Sequence, residues 1–237
     1  MQSSDAAHEE LLLEWANRDH HRGKGFVSDG VIDRERWNQA MPRILWLVKE
    51  APSDANPPVD WDVRTIIRDH AGAARSAGDN PRTVLPNKGS WRAAFCCFAA
   101  EFAITPLPAY PNSREDWNRV ANAFLGSAWV NVKKSNGQIP SNFADLYTYV
   151  QKDGDLLKRQ ISLIAPTLII CGGTWPLVRD LFPKATQIYD RIWRDDFLIV
   201  DFYHPGFRAP YVVFYHAFAS LLQNWKRQRE GALRTAC

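Results

Sequence analysis

Three side chains able to take part in bond-breaking chemistry stand at the ends of separate apolar runs. Glu50 follows "RILWLVK", Asn131 closes "AWVN", and His204 follows "DFLIVDFY". A fourth run, "TLIIC", ends in Gly172-Gly173. A carboxylate can stabilise a cation or orient a water. An amide offers two donors and an acceptor, and a neutral imidazole still donates from one ring nitrogen. Cations accompany all three: Lys49 before Glu50, Lys133 and Lys134 after Asn131, and Arg208, beside Phe207, after His204. Taken singly, each has an ordinary role as a loop carboxylate, a strand-end amide or a turn histidine. Taken together they define a site only if the fold brings the run ends to one place.

The elements between them argue that it does. The run at 43–48 reads as a strand buried on both faces, those at 128–132, 167–173 and 196–203 read as further strands, and helical patterns separate them. Helices are expected at 8–20, at 33–40 with Asp33 as its cap, and at 59–70. Further helices are expected at 90–102 capped by Ser90, at 113–125 with Ser113 and Asp116 as a capping box, at 153–165 stopped by Pro166, at 175–182 and at 210–227. Residues 71–89, rich in Gly, Arg, Asn and Pro, read as a long loop. Strands alternating with helices predict an α/β fold of three layers, α/β/α, around a central four-stranded parallel sheet. In such a sheet ligands lie beyond the carboxyl ends of the strands, where all four clusters would converge.

The chain has 237 residues, 46% of them apolar, enough for one sizeable core and a single domain over 1–237. Within it, 1–42 is an N-terminal helical segment, 54–89 a long insertion and 226–237 a basic tail. A net charge of +3 permits a polyanionic partner without demanding one. Ten Trp suit a core and also suit stacking surfaces; Trp61 and Trp91 both read first as core, and Trp91 is in addition a candidate base contact. No apolar run reaches membrane-spanning length. The N-terminal "MQSSDAAHEELLLEW" is acidic where a secretion signal is basic, so the expectation is a cytoplasmic protein. Cys96, Cys97, Cys171 and Cys237 form no C-x-x-C and read as reduced thiols; His20 and His21 read as surface residues. No metal or other cofactor is expected.

The order of these motifs resembles the uracil-DNA glycosylase superfamily over roughly residues 43–225. "WLVKEAPSD" is similar to the Gly-Glu-Ala-Pro-Gly motif of its thermophilic-type members, and "WVNVKK" to their strand ending in a base-reading Asn. "IAPTLIICGG" is similar to their helix-Pro-strand-Gly segment, and "HPGFRAP" to their His-Pro-Ser motif with its wedge loop. Lys49, Ser53 and Gly206 depart from the pattern, and cysteines at the spacing of the family's iron–sulfur cluster are absent.

The resemblance implies a monomeric, monofunctional DNA glycosylase that leaves an abasic site. Its target would be a pyrimidine in single-stranded DNA, or one flipped out of a duplex. Glu50 would stabilise the oxocarbenium-like sugar and orient water, and His204 would donate to the departing base. Asn131 would read the base edge, and depending on its amide orientation would suit uracil or cytosine. Ala51 and Ser53 would contact substrate, Lys49, Lys133 and Lys134 would meet phosphates, and Phe207 with Arg208 would fill the gap in the stack. Where the best-known members hold a Tyr that blocks 5-substituted pyrimidines, Ser53 leaves space. The pocket is then expected to accept a 5-methyl group or a larger one, including a hypermodified cytosine of viral DNA. DNA repair and defence against foreign DNA both fit. A catalytically silent DNA-binding module and a glycosidase acting on small nucleosides are the alternatives.

Overall fold

The computed structural model describes residues 4–53, 56–76, 80–101, 109–137 and 140–235, with side chains as far as 228. In chain order its main elements are α1 (Ser4–Ala16), β1 (Val27–Ser28), β2 (Gly30–Val31), α2 (Arg34–Gln39), β3 (Ile44–Val48), β4 (Trp61–Asp62), α3 (Val63–Ser76) and α4 (Lys88–Glu101). Then follow α5 (Arg114–Leu125), β5 (Ala128–Asn131), α6 (Phe143–Ile164), β6 (Leu168–Gly172), α7 (Trp175–Val178), β7 (Thr186–Tyr189), β8 (Ile192–Arg194), β9 (Leu198–Phe202) and α8 (Tyr211–Thr235).

The architecture is mixed α/β, and the sheet is larger than the four strands expected. Seven strands run in the order β2-β5-β3-β6-β9-β8-β7. β5, β3, β6 and β9 pair in parallel; β2 at one edge and the β7–β8 hairpin at the other are antiparallel. Successive side chains of a strand point to opposite faces, and both faces here are apolar. Ile44, Trp46 and Val48 face one core with α4, α5 and α8, while Leu45 and Leu47 face the other with α1 and α6. β6 divides likewise, Ile170 to the first and Ile169 and Cys171 to the second.

Local capping explains several boundaries. Asp33 accepts from the Arg36 amide, and Ser113 and Asp116 make the reciprocal capping box. The helix expected from Ser90 starts earlier, because the Asn87 side chain accepts from the Ser90 amide at 2.9 Å. The helix expected at 153–165 is ten residues longer at its start, capped by Asn142. Gly154 sits within it because a Cβ there would meet Leu181 at 2.6 Å. The stretch 71–89 is not one loop: α3 covers it to Ser76, and a 3-10 turn, Pro81–Thr83, precedes α4. Residues 54, 55 and 77–79 of the expected insertion, Phe102, Cys237 and the side chains of the tail beyond 228 lie outside the described residues. Cys96, Cys97 and Cys171 are buried free thiols whose burial raises their pKa, Cys97 to about 12. No helix among the described residues is long and apolar enough to cross a membrane.

Candidate functional site at the carboxyl ends of the strands

Glu50 and His204 share one hollow. It has a volume of about 690 Å³ and lies beyond the ends of β3, β6 and β9, with Lys49, Gly173, Tyr203 and Phe207 also in its wall. Glu50 is 8% exposed, and its Oε2 has no hydrogen-bond partner among the described residues. A buried carboxylate oxygen without a donor is costly in a merely structural role. Its backbone neighbourhood is tight: a Cβ on Gly137 would lie 1.7 Å from Glu50 Cγ. The Gly137 amide donates to the Ala51 carbonyl at 2.9 Å, which clamps the 135–137 segment over the carboxylate stem.

His204 is held in one tautomer. The Gly206 amide donates to its Nδ1 at 3.0 Å, so Nδ1 is an acceptor and the ring proton of the neutral form resides on Nε2. Burial, and secondarily the nearby Lys49 cation, lower the imidazole pKa to about 4. His204 at neutral pH is therefore an uncharged donor. Its loop is fixed from behind by the buried Arg92 of α4, which donates to the Ala209 carbonyl at 2.8 Å and to the Pro205 carbonyl at 3.1 Å. Gly172 lets this loop approach, since a Cβ there would sit 3.1 Å from Pro205 Cδ.

The rim is aromatic and cationic. Tyr203 and Phe207 stack with centroids 5.3 Å apart, and they are 45% and 55% exposed. Lys49 Nζ lies 4.6 Å from the Phe143 ring centroid and has no carboxylate partner among the described residues. Arg208 is exposed beside this rim but lines neither hollow. A second hollow of about 510 Å³ adjoins the first through Glu50 and is lined by Ser53, Lys133, Asn136, Asp145 and Tyr149 among others.

Asn131 does not join the set. It is 1% exposed, lines neither hollow, and donates from its Nδ2 to Asp29 Oδ2 at 3.0 Å while its backbone amide donates to the same oxygen at 2.7 Å. The same aspartate takes Lys134, whose side chain is fully buried and whose Nζ is 2.6 Å from Asp29 Oδ1. Gln160 donates to that oxygen at 2.9 Å. Burial lowers the Lys134 pKa against the opposing pull of Asp29. Lys134 is thus a core ion pair and not a phosphate contact, and the Asn131 amide is turned to Asp29 and not to a base. Lys133 is also committed, its Nζ 2.6 Å from Asp145 Oδ2. Trp91 is 3% exposed and packs edge-on against Trp117 at 4.9 Å, which makes it core and not a base contact. Ala51 contributes only backbone and lines neither hollow. Asp29, Arg92, Gly137 and Tyr203 were not singled out from the sequence. Only Tyr203, next to His204, carried a local signal there.

His20 and His21 are a further correction. His21 is 2% exposed, and both imidazoles reach Asp153 Oδ2 at 2.9 Å. The three residues are spaced so that they could hold a metal ion. The same atoms already form a closed hydrogen-bond clasp, with Arg18 on Asp153 Oδ1 at 3.0 Å and Ser135 on His21 Nδ1 at 2.7 Å. Burial alone would raise the Asp153 pKa, but bonds from His21 and His20 hold it at about 2.

No protein-family model matches this chain, and no curated protein matches it. The residues themselves carry the functional reading.

Proposed function

We propose that this chain is a monofunctional DNA glycosylase with a uracil-DNA glycosylase-like fold. It would hydrolyse the N-glycosidic bond of an extruded pyrimidine and leave an abasic site. The observation that carries the reading is the shared hollow of Glu50 and His204, with His204 preset as a neutral Nε2 donor. In the reaction a water oxygen bonds to C1′ as the C1′–N bond breaks. The electron pair leaves with the base. Glu50 stabilises the sugar cation and accepts the water proton, and the His204 Nε2–H meets the charge building on the base. No strand cleavage is expected from the enzyme itself. Among the described residues Lys49 is the one lysine in the wall of the hollow, and a borohydride-trapped adduct on it would overturn the monofunctional reading. Tyr203 and Phe207 at the rim suit a base or a gap in the stack, and Lys49 suits a phosphate.

The adjoining hollow, with Ser53 in its wall, supports a substrate larger than uracil, such as a 5-substituted cytosine. The test is a mass-spectrometric screen for released base, using DNA that carries uracil, mismatched thymine, 5-hydroxymethylcytosine or glucosylated cytosine. Release of uracil alone rejects the enlarged substrate.

A second reading has its own support. The Asn131 amide is bound to Asp29, which favours a catalytically silent DNA-binding module of the same fold. Binding without product from every substrate, at an affinity unchanged in Glu50→Gln, would establish that module. A glycosidase acting on small nucleosides would instead show no salt-dependent DNA binding.

A further inference from the structure

A hollow of a different chemistry lies among α2, α3 and α5. It measures about 320 Å³ and is lined by Arg36, Arg75, Arg114, Asn118, Asn122 and Val84, among others. Asn122 lies in the last turn of α5, just before β5 begins, and Arg36 Cβ would be 3.5 Å from a Cβ on Gly126. None of its lining residues is shared with the hollow of Glu50 and His204.

Its charges are unbalanced. Arg36 Nη1 and Arg75 Nη2 both donate to one atom, Asn122 Oδ1, at 3.3 and 2.6 Å. Asp33 answers Arg36 through Nε at 3.1 Å. Arg114 has no hydrogen bond or ion pair among the described residues. Among the described residues, the three guanidiniums of α2, α3 and α5 therefore have one carboxylate, Asp33, and one amide oxygen, Asn122 Oδ1, as hydrogen-bond partners. Burial and the neighbouring Arg36 both lower the Arg75 pKa, while Asp33 opposes them, as expected where a cation lacks a full counter-charge. Arg114, Asn118 and Asn122 recur every four residues and so share one face of α5.

We propose that this hollow binds the phosphate end of a small phosphorylated ligand, such as pyrophosphate or a nucleoside di- or triphosphate. Guanidiniums grip phosphate oxygens in pairs, and Asn118 adds an amide donor. The three arginines line one recess, which suits a compact ligand better than a nucleic-acid backbone.

Calorimetric titration of the whole chain with pyrophosphate, against chloride at matched ionic strength, tests this. The expected result is saturable binding of one pyrophosphate per chain, weakened about tenfold or more in Arg75→Gln and in Arg114→Gln. Glu50→Gln should bind as the unsubstituted chain does. Arg114 has no hydrogen bond or ion pair among the described residues and is exposed, so its substitution is expected to leave folding intact, checked by urea denaturation of the variant. No saturable binding, or binding undiminished in both arginine variants, overturns the proposal. In a second arm a single-stranded oligonucleotide competes with pyrophosphate. Failure to displace it supports a small ligand, and displacement assigns the site to a nucleic-acid backbone and overturns it.

Discussion

Three strand ends of this sheet look alike as sequence, yet two of them behave as the opposite of the third in the fold. β3 and β9 end in polar residues that open onto a hollow, and Glu50 keeps a carboxylate oxygen without a donor. β5 ends in Asn131, and Lys134 lies three residues on, yet both turn into the protein and meet Asp29. The difference comes from Asp29, which the N-terminal segment delivers between β1 and β2. One carboxylate there collects donors from Asn131, Lys134 and Gln160. A polar residue after an apolar strand thus becomes a site only where no remote partner claims it. Function and stability should therefore separate between the two kinds of end.

The sharpest break of that contrast is Asp29→Ala. It strands the Lys134 ammonium in a buried setting and should cost about 3–5 kcal/mol of stability, read by urea denaturation. Little loss would mean that the β5 end is not a closed structural unit. Glu50→Gln should do the reverse. Under the proposed glycosylase function, base release should fall about 10²–10³-fold while stability and DNA affinity hold, because a carboxylate oxygen without a partner is exchanged for an amide of equal size. Loss of folding in this variant would place Glu50 with Asp29 instead.

Arg92→Ala should fall between the two kinds of end. It removes the donor to the Pro205 and Ala209 carbonyls and should cost about 1–3 kcal/mol, with a lower turnover at unchanged stability of the β5 end. Hydrogen exchange at the amides of 204–209 and at 130–134 would separate the two. The last effect is on pH. His204 has a folded pKa of about 4, below the ordinary value of 6.5. Above 6.5 both states are neutral and stability is flat with pH. As pH falls from 6.5 towards 4 only the unfolded chain takes the proton, so this histidine's share of stability declines through that window. Its ring resonances should titrate near 4 by NMR, and a midpoint near 6.5 would show an open, solvated ring.

What the sequence disclosed follows from how local each feature is. β3 and β6 were legible because unbroken apolar runs mark strands covered on both faces, and β9 because its run is broken only by Asp201. The Ser113–Asp116 box was legible because its two halves are three residues apart. The β7–β8 hairpin was not, since β7 is mostly exposed and carries no apolar alternation. The first ten residues of α6 were missed because exposed Phe143 and Tyr147 blur the helical period. Glu50 and His204 meet in one hollow as expected, but Asn131 was misplaced because its partner is 102 residues away. The clasp of His21 spans 114 residues to Ser135 and 132 to Asp153, beyond any spacing rule.

The Arg92 tether has a consequence for how such a molecule changes over generations. One guanidinium on α4 holds two carbonyls of the loop, so the location of His204 is inherited from a helix and not from the loop's own tip. Phe207 and Arg208 can then be exchanged for other residues without disturbing the imidazole. New preferences at the mouth become accessible one substitution at a time, with the imidazole left in place.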